Sequence, residues 1–328
     1  MELKLSGIQS KKGKNPDNEI EKLIIIGSGP AGLSAALYAA RAELHPLLFS
    51  GVELGGQVSL THVIENYPGF PDGVGGTQLG ELFQKQAERF GARVEFDTVM
   101  SVDLSTRPFS IKTYGKEYKC QSIIIATGAS PVHLNIPGEK ELTGKGVSYC
   151  ATCDGWFFKE KKLVVVGGGD SAIEEAIFLT RFASSVTIIH RREELRAGAI
   201  LQRRAFENKK VKFVWNTVIK EIQGDTAVKS LLLSNVKTGN ERTIKADGVF
   251  IFIGHNPNTE LFNGQLELDD LGYIKSDTLM QTSVSGVFAA GEAADPHFRQ
   301  VVTSAGMGAA AAIMAGRYLE NLEDSSGK

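Results

Sequence analysis

Lys22-Leu-Ile-Ile-Ile-Gly27-Ser28-Gly29-Pro30-Ala31-Gly32 is the stretch on which the reading of the fold turns. The short apolar run before Gly27, rich in β-branched residues, reads as a buried parallel strand. It passes directly into G-x-G-x-x-G and then into an alanine-rich helix, Leu33 to Arg41. Strand, glycine loop and helix in that order make a dinucleotide-binding fingerprint. Gly27 permits the tight turn, and Gly29 lets a pyrophosphate approach the backbone. Gly32 lets the helix pack close, so that its N-terminal N–H groups and dipole meet the phosphates. The next strand ends at Leu47-Leu48-Phe49, followed by Ser50-Gly51 where an acid would ordinarily hold an adenosine ribose. A ribose bound here needs another partner, such as Glu53 or a backbone group.

The pattern occurs twice. Lys162-Leu-Val-Val-Val166 is a second buried strand, and Gly167-Gly168-Gly169-Asp170-Ser171-Ala172 gives G-x-G-x-x-A ahead of a helix, Ile173 to Phe182. The strand after that, Val186 to Ile189, ends in His190-Arg191-Arg192, with Arg196 one turn further on. An acid at this place would accept a free ribose 2′-hydroxyl and repel a 2′-phosphate. Arginines favour the phosphate through planar bidentate contacts, so the second cradle selects NADPH over NADH. Two such units in 328 residues predict an α/β protein of two nucleotide-binding domains. Between the cradles, Gly55-Gly56-Gln57 and Glu65-Asn66-Tyr67-Pro68-Gly69 form a loop-rich segment suited to a large prosthetic group. Thr77 to Gly91 reads as an amphipathic helix with Leu79, Leu82, Phe83 and Phe90 inward. Ile123 to Gly128, ending in Ala126-Thr127-Gly128, is the exit from the first domain, and Gly254 to Thr259 the return. The strand at Val287–Ala290 then leads to Gly291-Glu292 and to a long Gly/Ala-rich helix from about Thr303 to Leu319.

Composition removes several classes of function. A formal charge of -2 argues against nucleic acid as a partner. The sequence has no apolar run long enough to cross a bilayer, so a membrane role is not expected. Met1 to Lys22 lacks an apolar core and carries Glu2, Asp17, Glu19 and Glu21, so it reads as a polar arm rather than a targeting peptide. Three cysteines, Cys120, Cys150 and Cys153, are too few for a disulfide scaffold and fit a reducing cytoplasm. Cys150-Ala151-Thr152-Cys153-Asp154 then has three readings. Structural zinc wants four ligands, and no second pair or H-x₃₋₅-H accompanies it. Two idle buried thiols are possible. A redox pair is favoured, because the spacer suits a helix start that stabilises thiolate. Asp154 is then a proton donor to a leaving thiolate, a helix cap, or both. Cys120 reads as a small buried side chain.

Taken together, these motifs resemble the low-molecular-weight, bacterial-type thioredoxin reductases from about Leu23 to Leu319. The cysteine element between two nucleotide folds is the most specific part, supported by Gly55-Gly-Gln57, Glu65-Asn-Tyr-Pro-Gly69, Ile253-Gly-His-Asn-Pro-Asn258 and Arg299-Gln300. The resemblance implies two three-layer ββα Rossmann-like domains, with an NADPH domain (131–261) inserted into an FAD domain (1–130 and 262–328). It implies that FAD occupies the first cradle, from Gly27 to Gly32, along Ser50, Gly51 and Gly55–Gln57, beside Ala126–Gly128. Asn66 is then near the isoalloxazine, and Gly291, Glu292 and Arg299-Gln300-Val301 line the flavin. The family usually has Asp where this chain has Glu292, whose extra methylene moves the carboxylate outward or aside. NADPH would reduce FAD, FAD would reduce the Cys150–Cys153 disulfide with Cys153 facing it, and the dithiol would reduce thioredoxin or a thioredoxin-like protein. The domains would rotate between these steps about Thr127–Val132 and Gly254–Leu261, in a homodimer. The alternatives are an FAD-dependent dithiol oxidase and a reductase of another redox carrier protein.

Overall fold

The computed structural model describes residues 20–51, 54–61 and 63–326. The polar arm up to residue 19 and Glu53 lie outside the described residues. Among the described residues the α-helices are α1 (Pro30–Arg41), α2 (Gly76–Arg89), α3 (Ala151–Asp154), α4 (Asp170–Leu179), α5 (Ala199–Glu207) and α6 (Val301–Ser326).

The first sheet is built from both ends of the chain. Its strands run in the order Arg93–Glu95, Leu47–Phe49, Ile20–Ile26, Glu117–Ile125, Phe109–Thr113, Val99–Asp103, and Val287–Ala289 also pairs with Glu117–Ile125. An unbroken apolar strand is what this position requires, because both faces are covered. Leu23 and Ile25 pack with α1 and α6, while Ile24 and Ile26 join a separate core beneath the sheet with Phe49, Phe109 and Phe262. The strand Glu117–Ile125 serves two layers. Its first half pairs antiparallel with Phe109–Thr113 and its second half pairs parallel with Val287–Ala289. Cys120 lies inside it, fully buried, and burial pushes its thiol up, as an inert core group requires.

The middle of the chain makes a second sheet, wholly parallel: Val211–Val214, Ser185–Ile189, Lys162–Val166, Gly248–Ile251, Val147–Ser148. Alternation again sorts its faces. Leu163 and Val165 meet α4, while Val164 and Val166 meet an antiparallel meander, Thr217–Gly224, Val228–Asn235 and Glu241–Lys245. Helices, parallel sheet and meander are the three layers. The two chain crossings between the units pair with each other, Ala129–Pro131 antiparallel to His255–Pro257. Asn258 binds both crossings: its Nδ2 donates to Thr127 O (2.9 Å), and its own O accepts from Thr127 Oγ1 (2.7 Å).

Two expectations need correction. In α2, Leu79 is buried, but Leu82 is 39% exposed and Phe90, just past the helix end, 40%. The helix meets its neighbours through Gly76, Leu79, Gly80 and Ala87, with Phe83 packed inward as expected, a narrower stripe than the apolar pattern suggests. Phe90 is instead covered by the Arg41 and Arg89 guanidiniums, whose carbons lie 5.1 and 5.6 Å from the ring centre. Arg196 is also not one helical turn beyond Arg192, because the helix begins only at Ala199. Residues 191–198 fold back, and Arg196 N–H and Ala197 N–H both donate to Gly168 O.

Gly308 sets how closely α6 lies on α1. A Cβ there would stand 1.9 Å from Ala31 O, whereas one at Gly316 meets nothing nearer than Leu44 Cδ1 at 3.6 Å. Gly308→Ala is expected to cost about 1–3 kcal/mol through forced separation of the helices. Gly316→Ala gains up to about 1 kcal/mol from helix propensity. Thermal unfolding of the two variants checks the opposite signs.

Candidate functional site

The first glycine loop opens onto a cleft of about 910 Å³ that both units line. Gly27, Ser28, Gly29, Pro30 and Ala31 form its floor, with Ser50, Gly56, Gln57 and Asn66 on one side and Ala126, Thr127 and Gly128 on another. Gly291, Glu292, Arg299, Gln300 and Val301 close it from the C-terminal segment. Gly32, Gly51 and Gly55 are not part of this lining. The steric reason is clear at Gly32, where a Cβ would lie 1.9 Å from Gly27 O and drive helix from strand. Gly29 is the converse, since a Cβ there meets no atom within 4 Å and points into free space. Ser28 holds the returning segment, donating through Oγ to Ser50 O (3.1 Å) and accepting Gly55 N–H at its carbonyl.

The cysteine pair reaches the same cleft from the second unit. The strand Val147–Ser148 delivers Cys150 as the N-cap of α3, where its sulfur accepts the Cys153 N–H at 3.2 Å. Cys150 and Cys153 form a disulfide with Cα atoms 5.4 Å apart, and both line the cleft. Thr152 Oγ1 lies 3.4 Å from Cys150 Sγ and accepts from Gln300 Nε2 at 3.0 Å. Gln300 Oε1 in turn accepts from Asn66 Nδ2 at 3.1 Å. A continuous polar chain therefore runs from the first unit to the disulfide.

The second glycine loop runs into α4, which packs on α3. Of its expected ligands only Ser171 touches the cleft; Gly167, Gly169, Asp170 and Ala172 do not. His190 is buried beneath the loop, its ring so close to Gly168 that a Cβ there would stand 2.4 Å from it. Arg191, Arg192 and Arg196 are exposed. Asp170 caps the fold-back by accepting Gly198 N–H at 2.7 Å, and the Arg196 guanidinium is brought beside Gly169. Sequence order thus separates His190 from the three arginines: it supports the loop from below while they face solvent.

A disulfide carried by one nucleotide-type unit and opening on the glycine loop of the other is a redox arrangement. The family model for pyridine nucleotide-disulphide oxidoreductases matches residues 21–308. The chain belongs to that family. Membership implies a flavin and NADPH in general, and the open face of Gly29 fits a ligand lying against the loop. A thioredoxin reductase of Peptoclostridium litorale is 50% identical over 92% of this chain and 97% of that protein. The crystal structure of thioredoxin reductase from Streptococcus pyogenes MGAS5005 superposes with a TM-score of 0.88 at 44% identity, covering 92% of this chain and 99% of that one. A Lactococcus lactis thioredoxin reductase described as in the FR conformation has the same coverage and 42% identity, yet a TM-score of 0.63.

For a member of this family, the charges around the cleft are informative. Burial pushes the Glu175 carboxyl up to about 7, Glu174 adds to the rise, and Arg299 opposes it. Burial pushes His255 down to about 4, helped by Arg299, and pushes Glu292 up against the pull of Arg299. Glu175 Oε2, His255 Nδ1 and Arg299 Nε are buried atoms without a hydrogen-bond partner, on residues that line the cleft. Sequence reading missed Glu175, although a carboxylate pair in an apolar helix just after a glycine loop is a usable signal. It also missed Tyr149 and Glu139. Tyr149 donates to Glu139, whose carboxylate takes the N–H groups of Leu134 and Asn135. Burial would raise Glu139, but these bonds outweigh it and hold it below the usual range. They tie the segment after the first crossing to the residue before Cys150.

Glu175 gives a pH test. An acid raised in the folded state contributes stability that is lost as pH rises from its ordinary value of 4.5 through about 7. Glu175→Gln is expected to raise the melting temperature at pH 8, by roughly 2–4 °C, and to leave it unchanged at pH 4.5. Melting curves at the two pH values check this.

Proposed function

We propose that this chain is a thioredoxin-disulfide reductase that takes two electrons from NADPH and delivers them through Cys150 and Cys153 to the disulfide of thioredoxin. One observation carries the reading: the disulfide is built into the unit bearing the second glycine loop and opens onto the loop of the first. In this reading residues 1–130 and 262–328 are the FAD domain and 131–261 the NADPH domain. Gly27–Gly32, Ser50–Gln57, Asn66, Ala126–Gly128 and Gly291–Val301 would hold FAD. Gly167–Ala172 would hold the NADPH pyrophosphate, with Arg191, Arg192 and Arg196 on the 2′-phosphate. Bound there, FAD supplies a two-electron relay between nicotinamide hydride and disulfide.

The protein's own groups do the rest. The Cys150–Cys153 bond breaks on taking up two electrons, and two protons complete the dithiol. One thiolate attacks a sulfur of the thioredoxin disulfide, and a mixed disulfide forms. The second thiolate then displaces reduced thioredoxin and restores the Cys150–Cys153 bond. Asp154 donates the proton to the leaving thiolate; burial pushes its carboxyl above the ordinary range, which favours the protonated form such a donor needs. The pair is half-buried and tied to Gln300 through Thr152, so a protein partner reaches it only after the units turn against each other. The two relatives of near-equal identity and coverage but TM-scores of 0.88 and 0.63 support such a turn, since divergence in sequence does not account for the gap. A dithiol oxidase passing electrons to oxygen has no use for three arginines exposed beside the second loop.

Anaerobic NADPH is expected to bleach the flavin absorbance, and the reduced enzyme to turn over thioredoxin. Flavin that stays oxidised under NADPH and NADH alike removes the reductase reading. Cys150→Ser and Cys153→Ser each abolish thioredoxin turnover while flavin reduction persists. Arg191→Ala with Arg192→Ala raises KM for NADPH roughly ten- to hundredfold and leaves KM for NADH nearly unchanged; equal effects on the two refute the phosphate assignment.

A further inference from the structure

Ser148 bears no mark in the sequence, yet its hydroxyl is the junction between the cysteine backbone and the acid. It ends the strand Val147–Ser148, is 4% exposed, and pairs in the sheet opposite Phe250. Its Oγ lies 2.6 Å from Asp154 Oδ2, 3.1 Å from Cys150 N and 3.2 Å from Cys150 O. We propose that Ser148 is a positioning residue for thiol–disulfide exchange, holding the Asp154 carboxyl and the Cys150 backbone in one arrangement whether Asp154 is protonated or not. The proposal rests on the reading that Asp154 is the proton donor of the reductase.

A serine hydroxyl has one proton and two lone pairs. The Cys150 N–H can only donate, so it takes one lone pair in every state. With Asp154 ionised, the serine proton goes to Oδ2, at the short distance expected of a charged acceptor. With Asp154 protonated, the carboxyl O–H donates to the second lone pair, and the serine proton turns to Cys150 O. Both states satisfy every group without moving a heavy atom. Asp154 can then lose and regain its proton next to the disulfide while the N-cap geometry of Cys150 is kept. Without the hydroxyl, a half-buried N–H and a buried carboxylate would each lose a partner.

The Asp154 carboxyl responds to two influences: burial, which raises it, and Ser148, which lowers it. Further charged groups stand on the elements packed around it. Asp170, Glu174 and Glu175 stand on α4, which packs on α3, and Glu139 and His133 flank Tyr149; Arg299 lies across the cleft. Removal of the hydroxyl therefore frees the Cys150 N–H and moves the Asp154 carboxyl upward.

The test uses the FAD-loaded enzyme with Ser148→Ala, Ser148→Thr and Asp154→Asn. Two quantities are read: the pH profile of kcat/KM for oxidised thioredoxin, and the Asp154 carboxyl titration by infrared difference, its band assigned by its loss in Asp154→Asn. In Ser148→Ala the alkaline limb and the infrared midpoint both move up by about one pH unit, and in Ser148→Thr, which keeps the hydroxyl, both stay with the parent. An unmoved midpoint in Ser148→Ala, or a Ser148→Thr that behaves like the alanine, overturns the proposal. If Ser148→Ala yields no holoenzyme, Ser148→Gly, which leaves room for water at Cys150 N–H, is read on the same axis. A parent enzyme that fails to reduce thioredoxin sinks the functional reading, and a parent limb that survives Asp154→Asn sinks the acid; in both cases the infrared midpoint still decides Ser148.

Discussion

Electrons pass between a disulfide and a neighbouring redox group only at close contact, and this chain builds the disulfide into one unit while the first glycine loop belongs to the other. Much of the site answers to that constraint. The strand Val147–Ser148 and the short α3 push Cys150 and Cys153 to the rim of their own unit, where they meet Asn66 and Gln300 through Thr152. The junction is polar and made of few bonds. An apolar seal would hold the two units together, whereas a chain of side-chain hydrogen bonds, each contributing on the order of 1 kcal/mol net, holds them in register and lets them part.

The same junction carries unusual charges. Glu175 comes from α4 of the inserted unit, while Glu292 and Arg299 come from the other unit, and His255 sits on the crossing strand. Glu175, His255 and Glu292 are shifted chiefly by burial, and the Arg299 charge acts on all three. Arg299 has a left-handed backbone, φ 51°, and an unpartnered Nε, the mark of a side chain held where the surroundings demand it. Glu175, His255 and Arg299 each keep a buried polar atom without a hydrogen-bond partner, on residues that line the cleft.

Much of this was legible in the chain because backbone sterics write themselves into glycines and into unbroken apolar strands. Gly27, Gly29, Gly32 and the run Leu23–Ile26 specify strand, turn and helix with no tertiary information. The alternation of Leu163 and Val165 against Val164 and Val166 is invisible as polarity, since both faces are buried, so the sequence told of burial without telling what covered each side. Leu82 and Phe90 misled because periodicity reports an apolar face but not how far the neighbouring helix extends over it. His190 and Arg196 are close in sequence to Arg191 and Arg192, but a fold-back onto Gly168 O sends the histidine inward and carries Arg196 to Gly169. Ser148 was out of reach altogether: its role depends on Asp154 coming within 2.6 Å, six residues later, through a strand end and a helical turn.

Where the chain leaves the first unit at Ala129–Pro131 and where it comes back at His255–Pro257, the two segments are hydrogen-bonded to one another, and Asn258 stitches them together. Two independent tethers would let the inserted unit wander over a cone of orientations. A paired ribbon resists splaying of its strands, while two-stranded ribbons span a wide range of twist. The joint is therefore closer to an axle than to a leash. In the proposed turn, a cysteine pair mounted on such a joint sweeps an arc rather than a volume, and would meet each of its stations in a set orientation without searching for it.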